Sequence, residues 1–282
     1  MNIGKRIGIW CRNMLLLLFL SSILAVVVYK YVPVYYTPLM AIRLYEQYQS
    51  GKKLKLDHTW VPLSRIAQPL VQAVVASEDN LFLDHNGFDM EQIQKARSEA
   101  EKGRRVRGAS TITQQTAKNV FLWPGKTYVR KGIEAYFTLL IEWIWGKERI
   151  MEVYLNSIET GDGIYGAEAV ARAHFKKAAS QLTSSEAALI AASLPNPRKF
   201  DSARPSPYLL KRQAKIISLM GKLLRIEMGY GAGDTSTKTG KIKKRKKWRA
   251  QAEDGNVNEA LTDYGLVGRT RRIEFFVSNR SS

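Results

Sequence analysis

An apolar run near the start of the chain constrains the fold more than any other feature. Residues 13–32 are mostly Leu, Val and Ile, and the only charge inside the run, Lys30, stands near its end, where a long side chain can reach the interface. About 20 apolar residues are what a helix needs to cross a bilayer. We predict a transmembrane helix over 13–33. A cleaved signal peptide is the alternative, but the run is long and no small-residue cleavage pattern follows it.

The distribution of cations around this run predicts its orientation. Lys5, Arg6 and Arg12 precede it, whereas the stretch that follows carries few cations. The positive-inside rule then leaves residues 1–12 in the cytoplasm and the chain beyond about residue 35 outside. Over the whole chain, 44 Lys+Arg stand against 25 Asp+Glu, a formal charge of +19. Such an excess indicates an anionic partner: nucleic acid, an acidic lipid surface or a phosphate-bearing substrate.

Beyond the anchor the chain divides into three parts. Residues 34–60 are predicted to be a membrane-proximal linker, residues 61–228 a domain, and residues 229–282 a basic, poorly ordered tail. Apolar residues recur at helical spacing and strand-like alternation is scarce, so the domain is predicted to be mostly α. The glycine-rich loop at 161–166 fits no nucleotide-binding motif, and we interpret it as a turn.

Two carboxylates bracket a segment dense in amides, hydroxyls and cations. Ile66, Leu70 and Val74 share one face of a predicted helix that ends near Glu78. Glu134 lies in the first turns of a strongly apolar helix, which we expect to be largely buried. One carboxylate could take or give a proton while the cations hold negative charge. This inventory suits sugar chemistry with an anionic leaving group.

The same residues form blocks that resemble the peptidoglycan glycosyltransferases of family 51. The blocks are Glu-Asp-x-x-Phe-x-x-His-x-Gly-x-Asp (78–89), Gly-Ala-Ser-Thr-Ile-Thr-Gln-Gln-x-x-Lys-Asn (108–119) and Arg-Lys-x-x-Glu-Ala (130–135). Two further blocks follow at 147–156 and 186–197. Five blocks in order across about 130 residues make chance similarity an inadequate explanation, and the resemblance covers roughly residues 40–228.

The resemblance implies roles for individual residues. Glu78 corresponds to the general base, and Glu134 to a second essential carboxylate that assists diphosphate departure directly or through a divalent metal, Mg or Mn. Lys126 stands where the family pattern has arginine; the charge is kept, but the bidentate fork is lost. The residues that would bind the donor substrate are Ser110, Thr111, Gln114, Gln115, Lys118, Asn119, Lys126 and Arg130.

The resemblance also implies a fold and an activity. We expect a mostly α, lysozyme-like glycosyltransferase domain with one N-terminal transmembrane helix, held at the bacterial cytoplasmic (inner) membrane. Its expected reaction is the inverting, processive polymerisation of lipid II into β-1,4 glycan strands, with release of undecaprenyl diphosphate. Its partners would be lipid II, the growing strand, the membrane and other cell-wall synthesis proteins, and not nucleic acid. The alternatives are a lysozyme-like enzyme that cleaves glycan and a non-catalytic membrane scaffold.

Overall fold

The computed structural model of the chain describes residues 3–103, 108–125 and 127–223. The predictions made for Lys126 and for the 229–282 tail lie outside this described part. The described residues are mostly helical, as predicted. They form helices α1 (Ile3–Tyr31), α2 (Pro38–Gln49), α3 (Gln68–Glu78), α4 (Met90–Glu101), α5 (Ile112–Phe121), α6 (Tyr128–Ile144), α7 (Lys147–Ser157), α8 (Gly166–Phe175), α9 (Ser184–Ser193) and α10 (Pro207–Lys222), and strands β1 (Asp57–His58), β2 (Glu159–Gly161) and β3 (Ile164–Tyr165).

Helix α1 contains the predicted membrane span, and its last turns pack on the folded domain. The helix is long and apolar enough to cross a bilayer, and most of its large side chains are exposed. Near its end, Val26 is fully buried and its carbonyl accepts a hydrogen bond of 2.7 Å from Trp145 Nε1. Arg149 donates to the carbonyls of Tyr29 and Val32, at 2.7 and 2.6 Å. A cation thus satisfies the carbonyls that a helix end leaves without partners.

The core of the domain lies where α3, α9 and α10 pack together and where α5 packs on α6 and α7. In α9, Ala187, Ala188, Ala191 and Ala192 are fully buried. Such small side chains let neighbouring helices approach closely, since the distance between helix axes depends on the residues at the contact. The larger core side chains come from the surrounding elements, among them Phe82, Ile112 and Tyr154, each with no exposed surface.

A small three-stranded sheet, which the sequence analysis did not predict, joins the membrane-proximal segment to the domain. Strand β3 pairs with β2 antiparallel and with β1 parallel. The glycine-rich loop interpreted as a turn is therefore a hairpin. Gly163 and Gly166 have φ of +69° and +82°, and a Cβ there would lie 2.4 and 2.6 Å from backbone oxygens of Lys55 and Asn156. Since α2 also packs on α5, the predicted linker is folded against the domain.

Helix α6 is buried on one side only, so the expectation that it is largely buried is wrong for its other side. Phe137 and Ile141 belong to the core, but Leu139 and Trp143 are 58% and 86% exposed. The partly buried Tyr136 lies beside α1, where its hydroxyl is 2.8 Å from Ser22 Oγ. The apolar pattern runs around α6 because one face meets the core while another lies beside the anchor helix.

Candidate active site

The carboxylate of Glu78 lies at the last residue of α3, as the sequence predicted. Leu70, Val71 and Val74 anchor the inner face of the helix in the core. The Glu78 side chain is only 14% exposed. Its Oε1 accepts a hydrogen bond of 3.1 Å from Ser77 Oγ, and its Oε2 accepts one of 3.2 Å from Gln115 Nε2. The helix thus ends by holding a carboxylate between two neutral donors.

The next residue, Asp79, ties the following loop to α5. Its two carboxylate oxygens lie 2.9 and 3.0 Å from His85 Nε2, and its Oδ2 accepts a hydrogen bond of 2.9 Å from the backbone N–H of Ile112. His85 Nδ1 accepts from the backbone N–H of Gly87 at 3.1 Å. Both ring nitrogens of His85 are thus engaged in contacts that hold the loop to Asp79. Asp79 is buried and fixes the start of α5 beside Glu78.

Helix α5 begins with a capping box. Thr111 Oγ1 accepts from the backbone N–H of Gln114 at 3.1 Å, and Gln114 Oε1 accepts from the backbone N–H of Thr111 at 3.0 Å. The Thr111 hydroxyl donates to the carbonyl of Gly87 at 2.7 Å. Both side chains are buried, so their polar atoms hold α5 in place, while the preceding Ser110 is exposed.

Gln115, one residue further along α5, links Glu78 to α7. Its amide nitrogen donates to Glu78, and its Oε1 accepts a hydrogen bond of 3.3 Å from the hydroxyl of Tyr154. Burial raises the pKa of Tyr154 well above its usual value, and the charges of Glu78 and Asp79 act in the same direction. The phenol therefore stays protonated and keeps the Gln115 amide turned with its nitrogen toward the carboxylate.

The second carboxylate, Glu134, lies on α6 and is paired with two cations. Its side chain is 3% exposed, its Oε2 lies 2.8 Å from Arg130 Nη1, and its Oε1 accepts from Lys131 Nζ. Arg130 is itself 9% exposed, and its Nε makes no hydrogen bond to any described residue. The result is a buried ion pair with the half-exposed Lys131 at its edge.

Lys118 connects the two carboxylates electrostatically. Burial lowers the pKa of its ammonium group; Arg130 and Lys131 lower it further, whereas Glu134 and Glu78 raise it. The helix that carries Lys118 also contacts Glu78 through Gln115 and packs on α6, which carries Glu134, so the three charged side chains belong to one region. Lys118, Arg130 and Lys131 carry three positive charges, whereas Glu134 and Glu78 carry two negative charges. This excess of positive charge favours the binding of an anion.

The described residues offer little to a divalent metal. In the described ranges, no three or more His, Cys, Asp or Glu side chains are grouped so that they could hold a metal ion. Both oxygens of Glu134 are held by cations. A hard cation such as Mg²⁺ prefers oxygen ligands. At sites with one protein carboxylate, its remaining ligands are oxygens of substrate phosphates and of water. Glu134 fits that use only after Lys131 moves away.

The structure brings part of the predicted set together. Glu78, Gln115, Lys118, Arg130 and Glu134 form the charged region, Asn119 is buried on α5, and Lys126 lies outside the described residues.

Three further residues around Glu78 and Gln115 were not among the predicted ones. Tyr154 stands in the fourth sequence block, where its position was visible without a role. Ser77 and Arg212, whose Nη2 lies 3.8 Å from Glu78 Oε1, carry no local sequence signal.

Comparison with known proteins gives consistent matches. Residues 46–221 match the model of a family described as transglycosylase. A Bacteroides thetaiotaomicron protein is 60% identical over 216 residues, which are 77% of this chain and 87% of that protein. A Caulobacter vibrioides protein is 50% identical over 226 residues, 79% of this chain and 96% of that protein. Both relatives bear the name biosynthetic peptidoglycan transglycosylase.

Proposed function

The chain belongs to the peptidoglycan transglycosylases, enzymes of cell-wall synthesis, and from that premise we propose that it polymerises lipid II into glycan strands with Glu78 as the general base. One observation carries this proposal: α5 connects the two carboxylates, because its Gln115 donates to Glu78 Oε2 and the helix packs on α6, which holds Glu134 beside Arg130 and Lys131. The acceptor hydroxyl needs a proton acceptor, and the departing diphosphate needs positive charge. Both requirements are met within this region.

In the proposed reaction the 4-hydroxyl oxygen of the acceptor sugar attacks the anomeric carbon of the donor. The new C–O bond forms as the bond between that carbon and the diphosphate oxygen breaks, with inversion of configuration. The hydroxyl proton passes to Glu78, whose carboxylate is oriented by Ser77 and Gln115. The electron pair of the broken bond leaves with undecaprenyl diphosphate.

The cationic side of the region would receive that diphosphate. Lys118, Arg130 and Lys131 supply positive charge close to Glu134. Such preorganised charge stabilises a transition state in which negative charge develops on the leaving group. In our proposal Glu134 holds Arg130 in place, and the diphosphate competes with this carboxylate for Lys131, which is 48% exposed. A glycan-cleaving enzyme uses paired carboxylates but has no need for these cations.

A divalent metal at Glu134 remains a prediction with its own test. If the metal binds there together with the substrate diphosphate, Lys131→Ala should strengthen Mn²⁺ binding in the presence of pyrophosphate, because it frees Glu134 Oε1. Glu134→Gln should abolish that binding. Calorimetric titration of Mn²⁺ into the full chain with pyrophosphate distinguishes these outcomes, and equal weak binding in all variants would contradict the prediction.

The membrane anchor is part of the same proposal. Helix α1 contributes buried Val26 and the hydrogen-bonded carbonyls of Val26 and Tyr29 to contacts with the domain, and the residue that follows the helix, Val32, contributes a third carbonyl; these contacts support an anchor that is retained. We propose that residues 1–12 lie in the cytoplasm and the domain outside. Cys11 is the only cysteine and is exposed. A membrane-impermeant maleimide applied to intact spheroplasts should leave it unlabelled, whereas it should label Ser180→Cys in a Cys11→Ser background.

The deciding experiment for the activity is incubation of the purified full chain with labelled lipid II. Polymer formation that Glu78→Gln abolishes is the expected result. Cleavage of preformed strands would favour the glycan-cleaving alternative, and lipid binding without turnover would favour the scaffold. Glu91→Gln, the same change at an exposed position on α4, is the matched control and should leave polymerisation unaffected.

A further inference from the structure

The C-terminal helix α10 carries an arginine to the carboxylate of Glu78. Leu209 and Ile216 bury one face of α10 against the domain, and Arg212 lies on that same face between them. Arg212 Nη2 donates to Ser77 Oγ at 3.2 Å and lies 3.8 Å from Glu78 Oε1. A distant part of the sequence thus supplies positive charge beside the proposed base.

The contact reaches Glu78 by two routes. The hydroxyl of Ser77 accepts a hydrogen bond from Arg212 and donates one of 3.1 Å to Glu78 Oε1. The guanidinium also acts on Oε1 directly as an ion pair. On the other side, Oε2 meets the neutral amide of Gln115. Arg212 therefore constrains the position of one carboxylate oxygen and favours its charge.

The remaining charged or titratable groups around Glu78 cannot substitute for this arginine. Asp79 is an anion, and burial keeps the phenol of Tyr154 protonated. Lys118 interacts electrostatically with Glu134 as well as with Glu78. Among the described residues, Arg212 is the one cation in salt-bridge contact with Glu78. Removing it would leave the base without a dedicated positive neighbour.

The bonding of Arg212 is incomplete for a purely structural side chain. Its Nε is buried and makes no hydrogen bond within the described part of the chain. Buried polar atoms are normally satisfied, and exceptions tend to have a functional reason. Electrostatic stabilisation of the nearby Glu78 carboxylate is such a reason. It requires the positive charge of the guanidinium, and it does not require a hydrogen bond from every N–H of the group.

We propose that Arg212 is a positioning residue that keeps Glu78 ionised when the anionic donor binds. The diphosphate adds negative charge to the site, and a nearby like charge favours the protonated form of a carboxylate, which cannot act as a base. An arginine is always charged and opposes that effect. This inference rests on the proposed role of Glu78 as the general base and concerns the charge of its carboxylate when the substrate is bound.

The test is the pH dependence of kcat/KM for polymerisation of lipid II by the full chain. Arg212→Gln should move the acidic limb upward by about one pH unit, the lower end of the effect of an opposite charge at this distance. At pH values below the limb this corresponds to about a tenfold loss. Arg212→Lys keeps the charge and should restore most of the profile. Lys215→Gln removes an exposed charge from the same helix and should leave the limb in place.

An unshifted acidic limb would overturn the inference. If the acidic limb of Arg212→Gln is unshifted, the arginine serves only packing. The loss of its packing contacts is then seen as a lower melting temperature, measured in parallel. If Arg212→Gln fails to fold, Ser77→Ala takes its place and should shift the limb in the same direction. The variant Glu78→Gln separates the two claims. If it still polymerises, the proposed base is wrong; if it is inactive while Arg212→Gln is unshifted, only the arginine's role fails.

Discussion

Replacing Glu134 by glutamine tests the buried ion pair on α6 most directly. The substitution keeps the volume of the side chain but removes the charge that faces Arg130 at 2.8 Å. Breaking a buried pair by removing one partner costs about 3–5 kcal/mol. We expect about 3 kcal/mol, the lower end of that range, because glutamine still accepts a hydrogen bond from Arg130 and Lys131 is 48% exposed. For a domain of this size the melting temperature should fall by about 6–12 °C.

The same variant should lose turnover without losing affinity for the leaving group. Arg130 would no longer be held in place, and loss of one preorganised stabilising contact costs about 10²–10³ in kcat. Affinity for pyrophosphate should be kept or rise, because Arg130 and Lys131 are released from a competing carboxylate. The measurements are polymerisation of labelled lipid II and calorimetric titration with pyrophosphate, both on the full chain in detergent.

A matched control exists on α4. Arg97 and Glu101 form an ion pair with the same i,i+4 spacing, but the two side chains are 82% and 64% exposed. Glu101→Gln should change stability by only a few tenths of a kcal/mol and leave turnover intact. Near-normal polymerisation by Glu134→Gln would refute the role of this carboxylate. A clear loss of pyrophosphate affinity would refute the competition between Glu134 and the leaving group.

Three further changes test other parts of the molecule. Arg149→Met removes the hydrogen bonds to the carbonyls at the end of α1 and should destabilise the full chain in micelles by about 1.5–3 kcal/mol, measured by chemical denaturation. Because burial lowers the pKa of Lys118, its charge is lost at lower pH than that of an ordinary lysine; Lys118→Arg should therefore move the alkaline limb of polymerisation to higher pH. Gly166→Ala places a Cβ 2.6 Å from the carbonyl oxygen of Asn156 at a residue with φ of +82°. The free energy of unfolding, measured by denaturant titration, should fall by more than about 2 kcal/mol. The control Gly132→Ala on α6 meets open space and should raise it by up to about 1 kcal/mol.

Local patterns predicted the parts of the site that depend on neighbouring residues. The spacing of Leu70 and Val74 indicated a helix that ends at Glu78, and α3 ends there. Thr111 is the N-cap of α5, and its capping box with Gln114 involves residues only three positions apart. In both cases side chains within one or two turns determine the structure, so the sequence contains the whole signal.

Contacts between distant segments could not be predicted in this way. Strands β1 and β3 have two residues each, too few for an alternating pattern, and they pair only because the β2–β3 hairpin presents an edge. The exposed side of α6 could not be told from a core face, because periodicity records which residues are apolar and not what covers them. Arg212 reaches Glu78 only through the packing of α10 on α3.

The position of Glu78 at the end of α3 has a chemical consequence that opposes the one from Arg212. A helix carries partial negative charge at its C-terminus, and this charge repels an anion placed there. Arg212 acts in the other direction at 3.8 Å. A base must be ionised before the reaction yet retain enough affinity to take the hydroxyl proton. Because the helix end repels the carboxylate and Arg212 attracts it, Arg212→Gln leaves that repulsion uncompensated when the diphosphate adds further negative charge.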